Sequence, residues 1–215
     1  MSLDRVISGE TAAGQRPCWS CQAPLSVRAA FCHACGRIQP PAALDHFRRL
    51  NLAPRFDLPT ADLEQQYFGL QRSLHPDRFA GKSSREKALS LQHATALNEA
   101  YDVLRQPLRR GEYLLELRGR PLNGADGGTI DDEELLTQAM AMRERLADAA
   151  GEAEVLALIA SAEADAAAIL AEIEGAFAQE DLASAARLLT RLRYLAKLTA
   201  EARARVAGAG SGVQA

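Results

Sequence analysis

Apolar positions recur at helical spacing along most of this chain. Leu63, Tyr67, Leu70 and Leu74 follow an i, i+4, i+7, i+11 rhythm, one face of a helix over 60–74. Thr60 is the expected N-cap, with Asp62 and Glu64 in the first turn. Pro76 disfavours helical geometry at His75, so His75-Pro76-Asp77 is expected in a loop just beyond the helix. A second helix opens with Ser83-x-x-Glu86, a capping box, and its apolar face runs Ala94, Leu97, Tyr101 and Leu104. Pro107 breaks or restarts it, and Leu108, Leu114, Leu115 and Leu117 carry the pattern to Arg118. Two such helices around a polar loop make an antiparallel hairpin. Beyond a Gly-rich hinge over 119–130, Asp131-x-x-Glu134 caps a helix with Leu135, Ala139, Met142 and Leu146 on one face, and Gly151 stops it. Val155, Ile159, Ala162, Ala166, Ile169, Ile173 and Phe177 then repeat at the three- and four-residue spacing of a bundle. Asp181 opens a last helix with Leu188, Leu192 and Leu195 inward. Leu136, Met140 and Tyr194 fall beside these faces, and exposed Leu, Met and Tyr at helical spacing suit a protein-recognition patch.

Composition agrees with helix. Aromatic residues make up 5% of the chain, few for a β-sandwich or barrel, and alanine is abundant. The expected fold is all-α: a helical hairpin plus a C-terminal three-helix bundle, preceded by a small metal-binding module. No apolar run is long enough to span a bilayer, so no membrane partner is expected. The first residues carry Asp4 and Glu10 and no apolar stretch. Neither a secretory signal nor a transit peptide is therefore expected. The expected compartment is the cytoplasm, with the mitochondrial matrix as the alternative. Charge changes along the chain: 4 − 2 = +2 over 1–40, 12 − 10 = +2 over 41–118, and 9 − 16 = −7 over 119–215. No segment has a strong basic footprint, so nucleic acid is not an expected partner. The segments read as a disordered N-terminus (1–16), a four-cysteine module (17–40), the hairpin domain (41–118), a linker (119–130), the bundle (131–206) and a disordered tail (207–215).

All four cysteines lie in one stretch, Cys18-Trp-Ser-Cys21 and, ten residues on, Cys32-His-Ala-Cys35-Gly36. Paired CxxC knuckles direct four thiolates at one ion, the pattern of a structural zinc site. About 24 residues cannot build a core, so metal must supply the folding free energy. Disulfides are disfavoured without a secretory signal, redox CxxC lacks its strand-to-helix context, and haem attachment needs His after the second Cys, where Gln22 and Gly36 stand. His33 is a further donor, but four thiolates suffice. Gly36 sits where a knuckle needs positive φ. Only Arg28 and Arg37 lie between and just after the cysteines, a thin footprint for nucleic acid.

His75 and Asp77 have no nucleophile, phosphate loop or carboxylate cluster beside them, so an enzyme is not expected. His75-Pro76-Asp77 between two amphipathic helices, followed by Asn98-Glu99-Ala100-Tyr101-Asp102-Val103-Leu104, instead resembles the J-domain of DnaJ-type co-chaperones. The segment Gln106–Leu117, the opening Asp45-His46-Phe47, and the CWxC…FCxxCGxIQPP run before the J-domain are similar to HscB-type co-chaperones of iron–sulfur cluster assembly that carry a zinc module. The resemblance covers about Pro17 to Val206. It implies that His75, Pro76 and Asp77, with Arg72 and Arg78, dock on a DnaK-type ATPase chaperone and stimulate it. It also implies that Leu136, Met140, Arg143, Glu144 and Tyr194 bind the iron–sulfur scaffold protein. Cys18, Cys21, Cys32 and Cys35 would hold one structural Zn²⁺. The chain departs from the family in two places. The helix over 60–74 carries only Arg72 where the family is rich in Lys and Arg, and Thr137 and Ala141 replace a bulkier apolar residue and an acid. The expected protein is a co-chaperone and ATPase activator, monomeric or weakly dimeric, and the alternative is a general J-domain adaptor for another client.

Overall fold

A computed structural model describes residues 14–122 and 133–210. Most of the terminal segments and of the hinge, with the Asp131 cap, lie outside the described residues. Among the described residues the chain is helical apart from a two-stranded antiparallel sheet, β1 (Gln15–Pro17) with β2 (Pro24–Ser26), and an isolated bridge between Phe31 and Ile38. The helices are α1 (His46–Arg49), α2 (Thr60–Leu74), α3 (Ser84–Leu104), α4 (Pro107–Leu117), α5 (Glu133–Asp148), α6 (Glu152–Ala178) and α7 (Leu182–Gly210). None is long and apolar enough to cross a membrane. Two ends differ from expectation. β1 begins at Gln15 because Gln15 pairs with Ser26, and α7 runs on to Gly210.

The chain forms two compact units. One comprises the described residues up to Ala53 together with Pro59–Leu104; the other comprises Pro54–Leu58 and the described residues from Arg105 onward. The cysteine segment and the α2–α3 hairpin thus share a unit, whereas 105–118, expected to close the hairpin domain, belong with the C-terminal helices.

In the first unit Phe47, Leu50, Leu63, Leu97 and Leu104 are buried among α1, α2 and α3. The hairpin also has a polar seam. Tyr67 stacks on Tyr101 with centroids 4.2 Å apart, its hydroxyl donates to Asn98 Oδ1 at 2.8 Å, and Gln71 Nε2 donates to that hydroxyl. Buried Ser90 donates to the carbonyl of Leu74 at 2.7 Å, satisfying an acceptor at the C-terminal end of α2. Ser83 and Glu86 form the expected capping box, with the Ser83 amide on Glu86 Oε2 at 3.1 Å and the Glu86 amide on Ser83 Oγ at 3.4 Å. Thr60 is not a cap: Pro59, fixed at φ −61°, holds that position and its carbonyl accepts from the Leu63 amide. The inward face of α3 includes Ser90 and His93, polar residues that an apolar pattern passes over.

The second unit is built on α6 and α7. Val155, Ile159, Ala162, Ile169, Ile173 and Phe177 are buried as the spacing predicts, and Ala166 is half-buried. On α7 the innermost residue is Leu189, fully buried, while Leu188 is half-exposed; Leu192, Leu195 and Leu198 complete that face. Helix α4 packs on α7 through Gly111: a Cβ there would stand 2.5 Å from a Leu189 methyl and 3.2 Å from the Phe56 ring. A side chain there would have to push the Leu189 methyl aside, so glycine keeps the approach close. Glu112 pairs with Arg193 at 2.7 Å, and Phe56 stacks on Phe177 at 5.4 Å. These contacts explain why 54–58 and 105–118 leave the hairpin's unit. The α6–α7 turn is a Schellman motif: Glu180, at φ +57°, donates to Phe177 O and Asp181 to Ala176 O. Asp181 Oδ1 then accepts the Ser184 amide at 3.0 Å and caps α7. Gly151 is the extended N-cap residue of α6, not a left-handed stop for α5.

Candidate metal centre and docking surfaces

The two cysteine turns are built alike. The Gln22 amide donates to Cys18 O at 3.0 Å and the Gly36 amide to Cys32 O at 2.8 Å, and both closing residues have positive φ, 63° and 71°. Gly36 was legible in the sequence; Gln22, which adopts the same conformation at a steric cost, was not. The turns bring all four sulfurs within 4.8 Å of one another, with Cys18–Cys35 and Cys21–Cys32 each at 3.7 Å. A tetrahedral ion with thiolates at about 2.3 Å separates them by about 3.8 Å, so the cage has the size of one four-sulfur metal site. The cysteines are free rather than disulfide-bonded.

The electrostatics ask for a cation. Burial raises the Cys18 thiol, but the amides of Cys21 and Ser20 and the neighbouring sulfurs outweigh it and bring it down to about 6. For Cys21 the Ala23 amide lowers the thiol, but burial and the three other sulfurs push it up to about 12. Crowded thiols cannot all ionise unless a positive charge sits among them.

The support around Cys18 was missed by sequence reasoning. Gln39, fully buried, donates Nε2 to Cys18 Sγ at 3.3 Å and to Arg37 O at 2.9 Å. Its carbonyl accepts from His93 Nε2 on α3 at 2.9 Å. Burial depresses the His93 pKa, aided by Arg49 and Arg16, although the Gln39 hydrogen bond favours the charged ring. Arg85 of α3 lies 4.3 Å over the Trp19 ring, and Trp19 Nε1 donates to Ile38 O at 2.7 Å. The cysteine module is therefore docked on α3 rather than tethered beside it. Two isolated polar residues 54 positions apart gave no pattern to read.

The His75-Pro76-Asp77 loop is a 3₁₀ turn over Pro76–Phe79. Pro76 forces His75 to extend, and the Asp77 amide donates to His75 Nδ1 at 3.3 Å. Asp77 Oδ2 lies 3.5 Å from that nitrogen. Phe79 is buried beneath the turn. Above it the Asp77 side chain is 90% exposed, and Arg72 and Arg78 are exposed too. No nucleophile or phosphate cradle joins them among the described residues.

In the second unit Met140, Arg143 and Glu144 are exposed on α5. The side chain of Leu136 lies outside those described. Tyr194 of α7 is half-buried and lines a cavity of about 50 Å³ with Ala139, Met142, Asp165, Ile169 and Arg191.

A capped helical hairpin with an exposed His-Pro-Asp turn, joined in one chain to a separate helical unit, has the arrangement of a J-domain protein. The family model described as the HSCB C-terminal oligomerisation domain matches residues 131–203. The iron–sulfur cluster co-chaperone protein HscB of Mus musculus is 36% identical over 202 residues, covering 90% of this chain and 86% of its own. The co-chaperone protein HscB homolog of Pseudoalteromonas atlantica is 39% identical over 165 residues, 74% of this chain and 94% of its own. The crystal structure of human co-chaperone protein HscB superposes with a TM-score of 0.83 at 31% identity, over 88% of this chain and 98% of that one. The chain belongs to the HscB family of co-chaperones.

Proposed function

We propose that this chain binds an iron–sulfur cluster scaffold protein through α5 and α7 of its C-terminal helices and delivers it to a DnaK-type chaperone, whose ATP hydrolysis it stimulates through His75, Pro76 and Asp77. The observation that carries this reading is the His-Pro-Asp turn: Pro76 and the hydrogen bond from the Asp77 amide to His75 Nδ1 hold its backbone, and Asp77 faces solvent. Such a group acts by contact, not by chemistry of its own. Met140, Arg143, Glu144 and Tyr194, with Leu136, are the residues proposed for the scaffold, and Arg72 and Arg78 flank the chaperone contact. Zinc is the proposed resident of Cys18, Cys21, Cys32 and Cys35; when bound it supplies a structural cross-link and no reaction step.

Turnover of ATP by the partner chaperone tests this, with the chain and the scaffold protein added singly and together. Synergy that Asp77→Asn abolishes is the expected result. Stimulation indifferent to the scaffold would replace the scaffold with another client, and no stimulation would overturn the reading.

A further inference from the structure

The cysteine module does more than fold beside the hairpin: it completes a groove next to the His-Pro-Asp turn. This groove, about 770 Å³, has Phe31, Cys35 and Arg37 on one wall and Arg78, Lys82 and Glu86 on the other. Its second wall is continuous with the turn, since Arg78 lies within Pro76–Phe79 and the Lys82 amide donates to Phe79 O at 2.9 Å. Its first wall is held by the metal knuckle, where Gly36, at φ +71°, turns the backbone immediately before Arg37. Phe31 is 37% exposed at the rim although it pairs with Ile38 in the bridge.

Charge decides what fits. Arg37, Arg78 and Lys82 face a single carboxylate, that of Glu86. That one charge, which Arg37 and Lys82 stabilise and which accepts from the Ser83 hydroxyl at 2.6 Å, offsets only one of the three cations. The groove therefore keeps an excess of positive charge and an exposed aromatic edge. Helix α2, by contrast, carries Arg72 as its lone Lys or Arg. Most of the cationic side chains around the turn thus lie in the groove and not on the preceding helix, and one of them, Arg37, belongs to the metal knuckle.

We infer that the metal knuckle is part of the chaperone contact: an acidic segment of the DnaK-type partner lies in the groove between Arg37 and Lys82 while the His-Pro-Asp turn engages its ATPase machinery. The inference rests on the proposed function, because the occupant is chosen by continuity with that turn and by charge. The bound metal then sets chaperone affinity indirectly, by holding Arg37 and Phe31 opposite Arg78 and Lys82. Complementary charge at an interface rim acts mainly on encounter rate and salt dependence.

The test titrates the metal-loaded chain, Arg37→Glu, Lys82→Glu and Asp77→Asn into the chaperone's ATPase assay at low and high salt. Each charge reversal is expected to raise the half-saturating concentration roughly 3- to 10-fold at low salt, an effect that shrinks as salt screens it. Metal content and scaffold binding should match the parent. Should Arg37→Glu lose metal, Arg37→Gln, which removes the knuckle's charge without reversing it, takes its place and is expected to shift the titration in the same direction by a smaller factor. A titration of metal-loaded Arg37→Glu that overlays the parent would overturn the inference, whatever Lys82→Glu does, while leaving the proposed function intact. A salt-independent loss, or a loss confined to scaffold, nucleic-acid or self-association measurements, would overturn it too. Failure of the parent to stimulate would remove the proposed function, and this inference with it.

Discussion

Residues 14–40 and the α6–α7 pair solve one problem by opposite means. Around the cysteines little apolar surface is buried: Cys18, Leu25 and Cys32 form the cluster, with Ala23 and Ala29 against it. Order comes from directed contacts: two matched turns, a buried glutamine on a sulfur, and a histidine and an arginine reaching in from α3. Along α6 and α7 an apolar seam from Val155 to Phe177 faces one from Ala185 to Ala202, and the polar groups at their turn serve only to cap it. The first region depends on a few specific partners, each of which can be deleted. The second depends on area, which no single polar change removes.

Four changes would break or sharpen that contrast. Cys32→Ser should have the largest effect. It should abolish metal binding and unfold 17–40 while α2 and α3 stay folded; metal analysis with amide exchange checks both, and a mutant that retains one ion per chain would show that the knuckles do not depend on four sulfurs. Leu189→Ala should destabilise the second unit by about 2–5 kcal/mol in denaturant unfolding, leaving metal content untouched. His93→Ala should cost the first unit about 1–3 kcal/mol, since it strands the buried Gln39 carbonyl. The same residue gives a pH signature. Because burial lowers the His93 pKa below its ordinary 6.5, the folded chain binds fewer protons there than the unfolded chain. Its contribution is full above about pH 6.5 and is lost as pH falls below that value through the depressed folded pKa. The acid-side loss of stability should therefore be smaller in His93→Ala than in the parent. The smallest effect should be a gain: Glu180→Gly relieves a left-handed residue in the α6–α7 turn and should raise the second unit's stability by up to about 1 kcal/mol, less whatever glycine's extra freedom in the unfolded chain costs. An unchanged or lowered melting temperature would mean that freedom outweighs the strain.

The boundaries that sequence reasoning placed well are those with local causes. Ser83 and Glu86 cap within one turn, Pro76 ends α2 and Pro107 starts α4. The four sulfurs converge because each CxxC closes on itself. What it placed poorly depends on partners far away in the chain. Leu188 and Leu189 are equally apolar, and the helices packed on α7 decide which turns inward: Leu189 meets Gly111 of α4 and is fully buried. The segment 105–118 follows the hairpin without a linker, yet Gly111 sends it to α7.

The amino-acid sequence alone therefore determined the helices, the capping box, the metal cage and the exposed His-Pro-Asp turn, because each rests on residues within a few positions of one another. Tertiary structure alone decided that the cysteine module sits on α3, that Arg37 faces Lys82 across a groove, and that α4 belongs with α7. Those outcomes follow from pairs such as Gln39 with His93 and Gly111 with Leu189. Their separation along the chain leaves no periodic trace, and their energy exists only once both partners have been brought together.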